Sequence, residues 1–150
     1  MLQRCTAVLA IPVVLCLSPG LVAAQGRTYV DPTMASDTVT FPYSGAVLVG
    51  NTLYLSGNIG LLRDQKVPDT ATEEARLVME YMKETLTDAG MTMDDLVFVQ
   101  VFASDLSNYA EFNRVYRTFF TMEYPARAFV GIANVLYDAR FEVQAIAVKR

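Results

Sequence analysis

The chain has 150 residues, 53% hydrophobic and 19% charged, a balance that suits one globular domain once any targeting segment is set aside. It has no His and no Trp, which excludes Ser-His and Cys-His nucleophile pairs, HExxH zinc sites and His general bases, so any catalysis must run on carboxylates, Arg, Lys, Tyr, hydroxyls, backbone groups and water. The formal charge is −4, from 12 basic and 16 acidic residues, and the bases are scattered instead of forming the stripe of an electrostatic nucleic-acid binder, so no nucleic-acid partner is expected.

Residues 1–24 read as a signal peptide. Arg4 supplies a positive start, residues 7–17 are an apolar core, and Ser18-Pro19-Gly20 breaks the helix before the small residues Ala23 and Ala24. Cleavage between Ala24 and Gln25 is expected, with export to a periplasm or out of the cell and no membrane association afterwards. An uncleaved anchor is the alternative, but Pro12 interrupts the run, which is short of the roughly 20 apolar residues that span a bilayer. Leu15 before Cys16 is too large for the usual lipoprotein signal. Both cysteines, Cys5 and Cys16, fall in this leader, so the mature chain is expected to carry no disulfide.

Residues 25–38 are polar, contain Pro32 and show no sustained period, which reads as a loosely attached arm; the domain proper is expected over 39–150. Residues 44–49 and 52–56 are β-rich runs around Gly50-Asn51, a pair suited to a tight hairpin turn. After a loop over 61–69, Thr70 and Glu73 resemble a capping box. Ala75, Val78, Met79, Met82, Leu86 and Ala89 then recur at three and four, predicting a helix that ends at Gly90. Residues 96–102, rich in Val and Phe, read as a strand. A second helix is predicted over 109–121, with Tyr109, Phe112, Val115, Tyr116 and Phe119 on its core face. Two further strands follow over 127–133 and 140–148.

The order is ββαβαββ. Two helices cannot cover both faces of a four- or five-stranded sheet, so they are expected on one face. In the last strand Phe141, Val143, Ala145 and Ala147 alternate with Glu142, Gln144, Ile146 and Val148, and neither set is clearly a solvent face. A sheet that apolar on its open side is expected to bury it against another copy.

Several residues stand out chemically. Pro125-Ala126-Arg127 puts an Arg at the start of a strand after a rigid turn, where its fork could grip a planar carboxylate; a surface Arg or an edge salt bridge is the plainer reading. Glu142 is an acid within an apolar strand, so it is solvent-facing, paired or functional. Tyr43 follows Pro42 at the entry to the first strand, and Ser56-Gly57-Asn58 ends the second, where the Gly could let backbone N–H groups approach a ligand.

Taken in order, Pro42-Tyr43-Ser44, the run from Val49 through Ser56-Gly57-Asn58-Ile59, Ala89-Gly90 with Asp94-Asp95-Leu96-Val97, Asp105-Leu106 with Phe112-Asn113 and Tyr116, Pro125-Ala126-Arg127, and Glu142 to Ala147 resemble the Rid family. These are the reactive intermediate (imine) deaminases, also called YjgF-like and, in older labels, endoribonuclease L-PSP. The resemblance spans nearly all of 41–150. It implies an α/β (α+β), chorismate-mutase-like fold and a homotrimer whose sheets form a central barrel with clefts between subunits. By position it makes Arg127 the carboxylate-binding residue and Glu142 the water-positioning residue. Tyr43, Ser56, Gly57 and Asn58 become substrate-binding wall and backbone positions. The implied chemistry is hydrolysis of small 2-imino or enamine carboxylates to 2-oxo acids and ammonia, with no metal and no organic cofactor.

The competing expectation is an exported, non-catalytic trimer that binds small carboxylates or acts as a holdase. A ribonuclease reading rests on the old label alone. The chain departs from the members nearest the characterised deaminases: it has Gly45 and Asn58 where they carry Gln. Ala128-Phe129-Val130-Gly131-Ile132 follows the Arg where Ser-x-Val-Glu-Val is common.

Overall fold

A computed structural model describes residues 26–32 and 40–150; the expected leader with its cleavage point, and residues 33–39, lie outside the described residues. Gly50 takes φ +61° and turns β2 (Ala46–Val49) back onto β3 (Thr52–Ile59), with Val49 opposite Thr52, as the Gly-Asn pair predicts.

The first difference from expectation lies upstream of this hairpin. Residues 27–30 belong to no loose arm: they form β1 (Arg27–Val30), antiparallel to β2 with Arg27 opposite Val49 and Val30 opposite Ala46. Backbone pairing with an exposed sheet edge needs no hydrophobic periodicity, which is why the polar run gave no signal. The same strand accounts for Gly45. Its N–H donates to Val30 O at 2.7 Å, and a Cβ there would stand 2.6 Å from Asp31 O and 2.9 Å from Pro32 Cα. Gly is needed at 45 because the chain leaving β1 crosses it.

Thr70 caps α1 (Ala71–Asp88), its hydroxyl accepting from Glu73 N at 3.2 Å and donating to the Glu73 carboxylate at 3.1 Å. The helix ends at Gly90, φ +70°, with Met91 N–H closing back to Leu86 O at 2.8 Å. Then come β4 (Leu96–Ala103) and α2 (Tyr109–Tyr116), followed by one 3-10 turn over Arg117–Phe119. The helix is thus shorter than the 109–121 expected, and Tyr109 is 47% exposed at its start instead of in the core. The chain ends with β5 (Ala126–Gly131) and β6 (Phe141–Val148).

The six strands among the described residues form one sheet in the order β1-β2-β3-β6-β4-β5, with β4 and β5 parallel and every other pair antiparallel. Phe141, Val143, Ala145 and Ala147 of β6 and Val99, Val101 and Ala103 of β4 are buried under Ala75, Val78, Met79, Met82 and Leu86 of α1 and Phe112, Val115 and Tyr116 of α2. The alternate residues Glu142, Gln144, Ile146 and Val148 are only half-buried on the other face, beside Phe98, Gln100 and Phe102. Tyr54, across from Ile146, is exposed. The open face is therefore a broad apolar surface with a Gln144–Gln100 side-chain contact of 3.4 Å near its middle.

Candidate functional site

The sheet places Ser56, Gly57 and Asn58 inside β3 and not beyond its end. The pairing with β6 slips between Leu55, opposite Ala145, and Asn58, opposite Val143, so one residue is extra on β3: a bulge at Ser56-Gly57. Ser56 ties the bulge to the first turn, donating from its hydroxyl to Ser44 O at 2.7 Å, and Asn58 Nδ2 donates to Ser56 O at 3.1 Å. Ile59 then pairs with Glu142.

The bulge makes room for the Glu142 carboxylate, which lies against Gly57. Burial alone pushes this carboxyl above its ordinary value, and among the described residues it forms no ion pair. Tyr43 stands nearby: burial chiefly, then Tyr137 and Glu142, raise its hydroxyl above the usual phenol range. Glu142, Gly57, Tyr43, Ser56 and Asn58, grouped on sequence grounds, thus gather around one end of the β3–β6 pair.

Arg127 does not join them within the protomer. Its partner on β4 is Val99, which is buried beneath the helices, whereas Glu142 pairs with Phe102, three residues further along. An odd offset puts the two side chains on opposite faces. Two strand spacings across and three residues along separate their Cα atoms by about 14 Å. Arg127 instead lies on an aromatic surface, its guanidinium carbon 4.5 Å from the Tyr116 ring centre, 5.9 Å from Tyr109 and 5.8 Å from Phe129. Among the described residues no carboxylate lies within 4.0 Å of it, so it is neither in the edge salt bridge nor on the open surface of the plainer reading.

Across residues 34–149 the chain matches the family model described as Endoribonuclease L-PSP. The chain belongs to the endoribonuclease L-PSP family. This L-PSP chain is 38% identical over 109 residues to the 2-iminobutanoate/2-iminopropanoate deaminase of Dermatophagoides farinae, a match covering 71% of this chain and 85% of that one. It is 36% identical over 110 residues to the mouse protein of the same name, covering 72% and 82%. The crystal structure of E. coli TdcF with bound serine superimposes with a TM-score of 0.74 at 30% identity, over 82% of this chain and all of that one. The Rid resemblance read from the sequence is the same family under another name.

Sequence reasoning passed over three residues of this L-PSP fold. Glu74 is fully buried: its carboxylate accepts from Arg140 N at 2.6 Å, Phe141 N at 2.9 Å and the Arg140 guanidinium at 2.8 Å, holding the start of β6 two residues before Glu142. The signal was an acid at the first position of the apolar stripe, four before Val78. Tyr116 was read as a core residue and as one position of the family motif, with no role at the site, yet burial drives its hydroxyl up to about 12 and its ring carries Arg127. Tyr137 beside Tyr43 sits at φ +62°, and Asp138 follows at +56°, a left-handed pair that no propensity argument anticipates.

Proposed function

We propose that this chain hydrolyses small 2-imino acids, and the enamines that tautomerise to them, to 2-oxo acids and ammonia in a cleft that two protomers complete together. The observation that carries the reading is the pair of half-sites. Among the described residues, one holds a guanidinium with no ion-paired acid; the other holds a half-buried carboxylate with a raised pKa and no ion-paired cation. Each lacks what the other offers, and they lie on opposite faces of one sheet. A second copy packed on the apolar open face brings its own Arg127 edge toward Glu142, and a closed ring of three such contacts leaves no face open. The relatives named 2-iminobutanoate/2-iminopropanoate deaminase, and the serine bound to TdcF, support a small carboxylate of this class.

The chemistry follows from charge. Arg127 takes the substrate carboxylate in two parallel hydrogen bonds. Water attacks C2 of the protonated imine as Glu142 accepts its proton, forming a C–O bond and moving the C=N electron pair onto nitrogen. Glu142 returns that proton to the amine; the C2–N bond then breaks as the hydroxyl oxygen forms the C=O bond and gives its own proton back to the Glu142 carboxylate, which passes it to the departing ammonia, so ammonium leaves and the carboxylate is regenerated. Water is the only co-reactant. Tyr43 and the Ser56-Gly57 bulge form the wall beside C2.

Ammonia release from freshly generated 2-iminopropanoate tests the reading. Arg127→Ala should abolish binding of 2-oxopropanoate, and Arg127→Lys should rescue little because a point charge lacks the fork. Glu142→Gln should keep affinity near normal and lower turnover about 100-fold. If wild type and Glu142→Gln both release ammonia at the buffer rate while still binding the 2-oxo acid, the protein is a carboxylate-binding trimer and no hydrolase. The leader supports export with a mature start at Gln25; intact mass of the protein from its native compartment checks this, and retention of Met1 overturns it.

A further inference from the structure

We propose that Tyr116 is a positioning residue: its ring is a fixed platform that holds the Arg127 guanidinium flat, with Tyr109 and Phe129 at the sides, so that the fork is aimed at the substrate carboxylate before it arrives. This rests on the reading above that Arg127 holds that carboxylate.

An arginine at the start of an edge strand has many rotamers, and something must choose one. A neighbouring acid would do so, but it would also occupy the N–H groups and neutralise the charge that a carboxylate ligand needs. Every ion pair among the described residues uses another base: Lys66, Lys83, Arg140 or Arg150. An aromatic face holds a guanidinium through its flat side and leaves the in-plane N–H donors free.

The three rings differ in how firmly they are held. Tyr116 is the nearest, at 4.5 Å, and is only 4% exposed. It packs on Phe120, Phe112 and Tyr124 with ring centres 4.7, 5.9 and 6.4 Å away. Phe129 is set edge-on between Tyr109 and Phe112 at 5.0 and 5.5 Å. Among the described residues the Tyr116 hydroxyl has no hydrogen-bond partner, so it is the ring face, not the hydroxyl, that acts on Arg127. The platform belongs to α2 and the guanidinium to β5, so packing of the helix on the sheet sets the aim of the fork.

The test varies the electron density of the ring at nearly constant shape. In the full-length mature protein, Tyr116→Phe and then mono-, di- and trifluorophenylalanine at position 116 are compared by calorimetric binding of 2-oxopropanoate and by steady-state hydrolysis of 2-iminopropanoate. Tyr116→Phe should stay within about threefold of wild type, and each fluorine should weaken binding further, reaching about tenfold in Kd and KM for the trifluoro ring. The maximal rate should stay within about twofold and the melting temperature should not follow the series. Tyr116→Leu should match or exceed the trifluoro loss; where it fails to fold, the fluorinated series still decides. A flat series while Arg127→Ala abolishes binding overturns the platform and leaves the role of Arg127 intact. Wild-type binding by Arg127→Ala removes the underlying site reading itself, and the platform with it.

Discussion

The carboxylate of Glu142 rests directly on the Cα of Gly57: a Cβ built there would overlap Oε1 and stand 2.9 Å from Cδ and 3.1 Å from Cγ. The glycine is required by a side chain on the neighbouring strand, and the β3 bulge is what aligns the two. Gly57→Ala should therefore push the carboxylate out of position, lowering turnover about 100-fold while leaving 2-oxo acid binding through Arg127 in place. Overpacking should also cost about 1–3 kcal/mol in urea unfolding. Wild-type turnover in Gly57→Ala would show that Glu142 need not sit where the bulge puts it.

Glu142 should leave a signature in pH. Its folded pKa is raised by burial, so the folded state holds this proton more tightly than the unfolded chain does. That favours folding fully below the unfolded value and is lost as pH rises through the folded one. Glu142→Gln removes the buried charge, so it should melt higher than wild type at pH 7, and the gain should shrink toward pH 4. In kcat/KM the wild type should lose activity as pH falls through the raised value, where the base becomes protonated. The residual rate of Glu142→Gln should show no such limb.

The cleft proposed to be shared between subunits makes a prediction for mixed oligomers. Arg127→Ala and Glu142→Gln alone should each fall to about a hundredth of wild-type activity or below, yet co-expressed in equal amounts they should recover about a quarter of it, because one in four interfaces pairs an intact Arg127 with an intact Glu142. Light scattering should give about three times the protomer mass. A mixture as inactive as its parents, or a stable monomer at micromolar concentration, contradicts the shared cleft.

Glu74 should behave as a structural acid. Its carboxylate satisfies two backbone N–H groups and the Arg140 guanidinium, and Arg140 in turn donates to Pro68 O at 3.0 Å and Asp69 O at 3.1 Å, tying the loop after β3 to β6. Glu74→Ala strands the Arg140 and Phe141 backbone N–H groups and leaves the Arg140 guanidinium without its carboxylate, and should cost about 3–5 kcal/mol in urea unfolding. Glu74→Gln, which keeps an acceptor for the backbone, should cost clearly less.

Local signals were legible wherever neighbours in sequence decide the outcome. The α1 stripe, the Thr70 cap, and the left-handed glycines at 50 and 90 stand where the chain predicts them. Helical period and positive-φ turns are properties of a few consecutive residues, so they survive without knowledge of the fold. The family motifs likewise singled out Tyr43, the Ser56-Gly57-Asn58 run, Arg127 and Glu142 as residues worth following.

What only the tertiary structure decided depends on pairing between distant segments. Residues 27–30 become a strand because the β2 edge offers hydrogen-bond partners, and Gly45 becomes necessary because that strand's exit crosses it. Tyr109 leaves the predicted core for the Arg127 edge because α2 starts there. Arg127 and Glu142 are both strand residues in the sequence; an odd offset in register across β4 sends one to the helix side and the other to the open face. Register is set by which strands meet and where they bulge, and a shift of one residue exchanges the faces. The candidate residue types, an Arg after a rigid turn and an acid in an apolar strand, were thus legible in the sequence alone, whereas their separation onto opposite faces of the protomer was decided by the sheet.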